Sequence, residues 1–145
     1  MTFVDRVKLK ILGASSTSSF YIGCDSSVYT DRNGRKQAKY ILMFITHYDS
    51  NKGGGWLKEE YILPEFGNLK QRLLTEANYA IGLGIEVINL VGTRKLEIHF
   101  DINPDPRHKS HVAVKEALAY AKGVGLTPKI KPDSFAASHA ADQLT

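Results

Sequence analysis

The stretch Phe20-Tyr21-Ile22-Gly23-Cys24-Asp25-Ser26-Ser27-Val28-Tyr29 reads as a mostly apolar strand that carries a single carboxylate. An aspartate is rarely fully buried unless it is paired or bound to a cation. Gly23, two residues away on the same side of the pleat, leaves room beside Asp25. Two readings stand at this point. Asp25 is the first ligand of a divalent-cation site, or the strand is half exposed and Asp25 faces water or opens a turn.

The chain has 145 residues, 43% hydrophobic and 23% charged, a profile that suits one ordinary globular domain. No uninterrupted apolar run approaches the ~18 residues of a membrane span. Asp5, Arg6, Lys8 and Lys10 interrupt the N-terminal apolar residues, so a signal-peptide core is not expected. The expected setting is cytoplasmic, with no membrane partner. One cysteine, Cys24, rules out an internal disulfide and a Cys-rich zinc site. Its place in the strand suggests a small core residue rather than a nucleophile. A formal charge of +4 suits a polyanionic partner.

Residues 2–12 alternate loosely through Phe3, Val7, Leu9 and Ile11 and lead into the small, polar run Gly13–Ser19. The expected division is a partly flexible extension over residues 1–19 and one domain over 20–145. After the Phe20 strand, Asn33-Gly34 signals a turn, and residues 37–47 form a second apolar stretch, which together predict a hairpin. Residues 49–55 are another turn, and residues 56–63 a third strand that Pro64 ends. Gly53-Gly54-Gly55 is not a phosphate cradle, because Trp-Leu-Lys follows where a P-loop needs Lys-Ser/Thr and a helix.

From Asn68 the apolar period becomes helical, through Leu69, Leu73, Ala77, Ala80, Gly84, Val87 and Val91. Gly82 and Gly84 either let this helix approach the sheet or end it early, and Gly92 is its expected stop. Residues 94–101 alternate as a fourth strand with Asp101 at its far end. Residues 108–123 predict a second helix, 126–130 a short fifth strand, and 133–144 a terminal helix capped by Asp133 or Ser134. The order β-β-β-α-β-α-β-α implies an α/β fold with a mixed five-stranded sheet and helices on both faces.

That order resembles the ribonuclease H-like fold. The Ile22-Gly23-Cys24-Asp25-Ser26 strand, Glu76 in a long helix, residues 97–103, Lys109-Ser110 and the Lys131–Ser138 block resemble the small bacterial and phage YkuK-type proteins, predicted nucleases of that fold. The resemblance runs from about Phe20 to the C-terminus, and the Lys-Pro-Asp-Ser block is its most specific part. It implies carboxylates from the first strand, the first helix, the end of the fourth strand and the last helix. This sequence offers Asp25, Glu76, Asp101 and Asp142 at those stations, with His139 three residues before Asp142 as in Holliday-junction resolvases of the superfamily. The implied cofactors are two Mg²⁺ or Mn²⁺ ions, and the implied partner is a nucleic acid: DNA, RNA, a hybrid or a branched form.

Hydrolysis of a phosphodiester needs an activated water and charge relief for the leaving oxygen, which two such ions supply through oxygen ligands. The resemblance gives Asp25 a bridging role, Glu76 and Asp101 one ion, Asp142 the other, and His139 a proton at the leaving group. Lys109, Lys129 and Lys131 are candidate phosphate contacts or solvated lysines. His99 reads as a hydrogen-bonded core residue or a partner behind Asp101. His108 and His111 lack a third ligand nearby in sequence, and Trp56 and the tyrosines read as packing residues. The alternatives to a nuclease are a non-catalytic nucleic-acid-binding or interaction module on the same fold, and a phosphotransferase of the actin and sugar-kinase class. The latter needs a second domain, for which 145 residues leave no room. Sequence does not set the oligomeric state.

Overall fold

Strand β1 (Ser19–Thr30) is the middle of a five-stranded sheet, flanked on one side by β2 (Lys36–His47) and β3 (Gly54–Pro64) and on the other by β4 (Lys95–His99) and β5 (Thr127–Lys129). The computed structural model describes residues 1–50, 53–102, 105, 107, 109–131 and 133–136, with backbone alone at 50 and 109–114. β1–β2 and β2–β3 are antiparallel, β1–β4 and β4–β5 parallel, so the sheet is mixed as expected. The first hairpin closes through Gly34 at φ 78° while the Asp31 carboxylate accepts from the Asn33 and Arg35 backbone N–H groups, both at 2.9 Å. This is the local reason Asn-Gly makes the turn.

The even-numbered residues of β1 and β2 point to one face, where Phe20, Ile22, Phe44 and Leu42 join Ala77, Ala80, Ile81 and Val87 of helix α2 (Leu69–Val91) in the main core. The side-chain period of two makes this segregation automatic. Helix α3 (Lys109–Gly123) contributes Ala117 and Ala121 to the same core. The opposite face carries a smaller cluster of Tyr21, Ile45 and Ala136, where Phe135 and Ala136 are helical. The rest of the expected terminal helix, residues 137–144, lies outside the described residues. No described helix is long and apolar enough to cross a membrane.

Residues expected to alternate loosely at the N-terminus form instead helix α1 (Phe3–Gly13). Phe3, Val7 and Ile11 recur every four residues, all are buried, and they sit in the main core. Thr2 caps the helix, accepting from the Asp5 N–H while Asp5 accepts from the Thr2 N–H in a capping box. Arg94 then ties the helix end to the end of α2, donating to the carbonyls of Ile11, Ala14, Leu90 and Val91. The third and fourth strands differ from expectation by one or two residues at their ends, and the fifth is three residues long.

α2 runs unbroken through both of its internal glycines and stops at Gly92, whose φ is 63°. A Cβ on Gly84 would lie 3.0 Å from Ile98 Cδ1 and from Leu126 Cδ1, so this glycine sets how closely α2 sits on the sheet. Gly82 meets nothing within 4 Å. Gly82→Ala is therefore expected to stabilise the chain by about 1 kcal/mol through helix propensity. Gly84→Val is expected to cost roughly 1–3 kcal/mol by overpacking. Urea midpoints of the two variants check this, and equal stability of Gly84→Val and the wild type would contradict the close approach.

Candidate functional site

The parallel pairing of β1 with β4 ends at Gly23 opposite His99, and the same register carried two residues on sets Asp25 beside Asp101. Backbone bonds beyond the strand hold this end in place: Phe100 N–H donates to the Lys129 carbonyl at 2.8 Å, and Lys131 N–H to the Ile102 carbonyl at 3.1 Å. Asp101 and Lys131 are thereby brought together, and Lys131 Nζ pairs with Asp101 Oδ1 at 2.8 Å. The third carboxylate comes from α2. Glu76 is 7% exposed, and the Ser26 hydroxyl, next to Asp25 in the chain, donates to its Oε2 at 2.5 Å. Glu76, Asp101 and Cys24 line one small pocket with Leu73, Ala77 and Phe100.

Burial sets the charge state of this group. It pushes the Glu76 carboxyl up to about 8, against the bond from Ser26, with the charges of Asp25 and Asp101 adding to the rise and Arg72 opposing it. Burial, with the charge of Asp101 adding to it, also raises Asp25 to about 6. The Ser26 N–H, which donates to Asp25 Oδ1 at 2.8 Å, holds it back, as do the charges of Arg72 and Lys131. Asp25 and Glu76, partly dried and each close to a further carboxylate, are thus disfavoured as anions. Cys24 is buried beside them and its thiol is pushed well up by burial and then by Glu76 and Asp25, which leaves it a core thiol and no nucleophile.

Arg72 stands one helical turn before Glu76. Its Nη1 pairs with Glu65 at 3.0 Å, and its Nε is buried with no hydrogen-bond partner among the described residues. In the sequence Arg72 has no role and Ser26 only a place after Asp25 in the strand motif, although the i, i+4 spacing of Arg72 and Glu76 puts both on one helix face. His99 is the core histidine that one sequence reading anticipated. Its Nδ1 accepts from the Ala136 N–H at 3.1 Å, so Nε2 carries the proton and donates to Glu97 Oε1 at 2.9 Å. Burial lowers its pKa, in keeping with a neutral ring.

Of the expected site residues, the structure brings Asp25, Glu76, Asp101 and Lys131 to one end of the sheet. Lys129 lies on β5 opposite His99. Lys109 opens α3, and its side chain, those of His108 and His111, and the residues His139 and Asp142 lie outside the described residues. Among the described residues no group of three or more His, Cys, Asp or Glu side chains is placed to hold a metal ion. The donor chemistry nonetheless suits a hard cation, since the groups at this end are carboxylates and burial disfavours the charge of two of them, Asp25 and Glu76. Trp56, expected in packing, is half exposed on β3.

The raised carboxyl of Glu76 has a definite linkage. Between its ordinary value of 4.5 and about 8 the folded chain keeps a proton that the unfolded chain releases, so stability falls as pH rises through that window. Asp25 adds the same sign between 3.8 and about 6. In EDTA, Tm is expected to drop from pH 5 to pH 8.5 by several degrees more in the wild type than in Glu76→Gln. Parallel pH profiles of the two proteins would show that Glu76 is not protonated in the fold.

The ribonuclease H-like family model matches residues 3–145. No curated protein matches the chain in sequence. Among solved structures, the crystal structure of native prototype foamy virus protease–reverse transcriptase is similar, with a TM-score of 0.45 and 10% identity. The similarity covers 86% of this chain and 19% of that one. With the family model spanning helix α1, the whole sheet and the residues beyond it, the chain belongs to the ribonuclease H-like family.

Proposed function

We propose that this chain is a nuclease that hydrolyses phosphodiester bonds of a nucleic acid, and that within its family it is of the YkuK type. The observation that supports the reading most is the group of Asp25, Glu76 and Asp101 at one end of β1 and β4, buried enough to raise two of them far above ordinary carboxylates. Such a group is costly to ionise alone and becomes favourable when a divalent cation joins it. Asp25 would serve two ions, Glu76 and Asp101 one of them, and Asp142 the other. When bound, Mg²⁺ or Mn²⁺ would activate water and relieve charge on the leaving oxygen.

The chain's own residues supply the rest. Ser26 orients Glu76 through its hydroxyl, and the backbone ladder from Phe100 to Lys131 fixes Asp101. Arg72 and Lys131 place positive charge beside the carboxylates, which would favour a phosphate there. In this reading Lys109 and Lys129 would be contacts for the phosphates of a polyanion, and His139 would pass a proton to the leaving oxygen.

Asp25→Asn is expected to lose nearly all turnover on a panel of single-stranded, duplex, hybrid and branched substrates with Mg²⁺ or Mn²⁺, while far-UV circular dichroism stays unchanged. An amide lacks the charge that would hold two cations together. His139→Ala is expected to slow the reaction by something like 10²-fold with metal affinity kept. Arg72→Ala and Lys131→Ala are expected to weaken binding and flatten its salt dependence. A wild type that cuts nothing on this panel, yet binds nucleic acid equally with and without Asp25, replaces the nuclease reading by that of a binding module.

A further inference from the structure

Strand β3 is at the edge of the sheet, with β2 as its one neighbouring strand among the described residues. It pairs with β2 without interruption from Gly54 opposite His47 to Pro64 opposite Gln37, so it is long, unbulged and free of proline until its last residue. Proteins usually blunt such an edge with a bulge, a proline or a charge, because unpaired N–H and C=O groups recruit another strand. Here the outward face carries Trp56 and Ile62, 47% and 56% exposed, with Lys58 and Glu60 between them. Lys58 and Glu60 are 3.5 Å apart, and Lys39 lies 3.5 Å from Glu60 on the neighbouring strand.

The order Trp-Leu-Lys-Glu-Glu-Tyr-Ile is complementary to its own reverse. When two copies of a strand pair antiparallel, opposed residues share a face, so the pairing must be centred on a residue. Centring on Glu59 sets Lys58 opposite Glu60 of the second copy and Trp56 opposite Ile62, each pair formed twice, with Leu57 opposite Tyr61 on the other face. Centring one residue either way puts Lys58 on Lys58 or Glu60 on Glu60. The one like-charge meeting in the favoured register is Glu59 with its copy, and each Glu59 has Arg6 of α1 at 3.7 Å as counter-ion. The lysine that would repel a foreign strand is thus matched in a copy of this chain.

We infer that β3 is an interaction surface for a second copy of the chain, which pairs two five-stranded sheets edge to edge about a two-fold axis through Glu59. Cross-strand aromatic–aliphatic and opposite-charge pairs contribute to such an interface on both sides of the axis. The inference is independent of the nuclease reading, since it uses neither Asp25 nor its neighbours.

Sedimentation equilibrium of the full chain tests it. The wild type is expected at twice the 16.1 kDa chain mass at about 100 μM. Lys58→Glu alone and Glu60→Lys alone are each expected to weaken the dimer at least 10-fold, because each opposes like charges at two places. The double variant Lys58→Glu/Glu60→Lys is expected to restore it, with circular dichroism unchanged throughout. A monomeric wild type overturns the inference. So does a dimer that ignores the single changes, or a double variant that stays monomeric.

Discussion

Everything at the candidate site depends on the parallel pairing of β1 with β4. That pairing is formed by two strands far apart in sequence, and only the crossover through α2 brings them side by side. It fixes the register in which Asp25 and Asp101 share one end of the sheet. The same crossover lays α2 over the apolar face of β1, and the absence of a side chain at Gly84 lets it settle close enough for Glu76 to reach Ser26. A one-residue slip in β1 would turn Phe20, Ile22 and Cys24 out of the main core. The strand that carries the carboxylate is therefore held in place by its apolar neighbours.

Folding this arrangement without cations has an electrostatic cost that the chain meets in three ways. Burial lets Glu76 keep its proton at neutral pH, Lys131 pairs directly with Asp101, and Arg72 adds positive charge near Asp25 and Glu76 while bonded to Glu65. For the cation-dependent nuclease proposed above, such partners would be provisional. They keep the carboxylates close together without neutralising all of them. The His99 ring plays a different part: it joins β4 to the segment at Ala136, and Phe135 packs on the rings of Tyr21, His47 and His99.

The sheet was legible in the sequence because its strands carry unambiguous signals. Asn33-Gly34 marks the first hairpin, and Leu96, Ile98 and Phe100 alternate with polar residues. The carboxylate at Asp25 stood out because it interrupts an apolar strand. Helix α1 was harder, since Leu9 fills a gap in the Phe3, Val7, Ile11 series and makes a helical period look like alternation, although Leu9 itself is exposed. Glu76 was visible only through family resemblance, because a glutamate in a helix gives no local sign of burial. Arg72 and the Ser26–Glu76 bond carry no local signature for the same reason. They depend on how α2 lies across the sheet, which no local pattern encodes.

The most direct test of the account is the position of metal ions in a crystal of the wild-type chain soaked in Mn²⁺ and measured at the manganese absorption edge. Anomalous peaks are expected in contact with the Asp25 carboxylate, two of them about 4 Å apart, with Glu76 and Asp101 around one. Peaks confined to other parts of the surface, or none near Asp25 at saturating Mn²⁺, would contradict it.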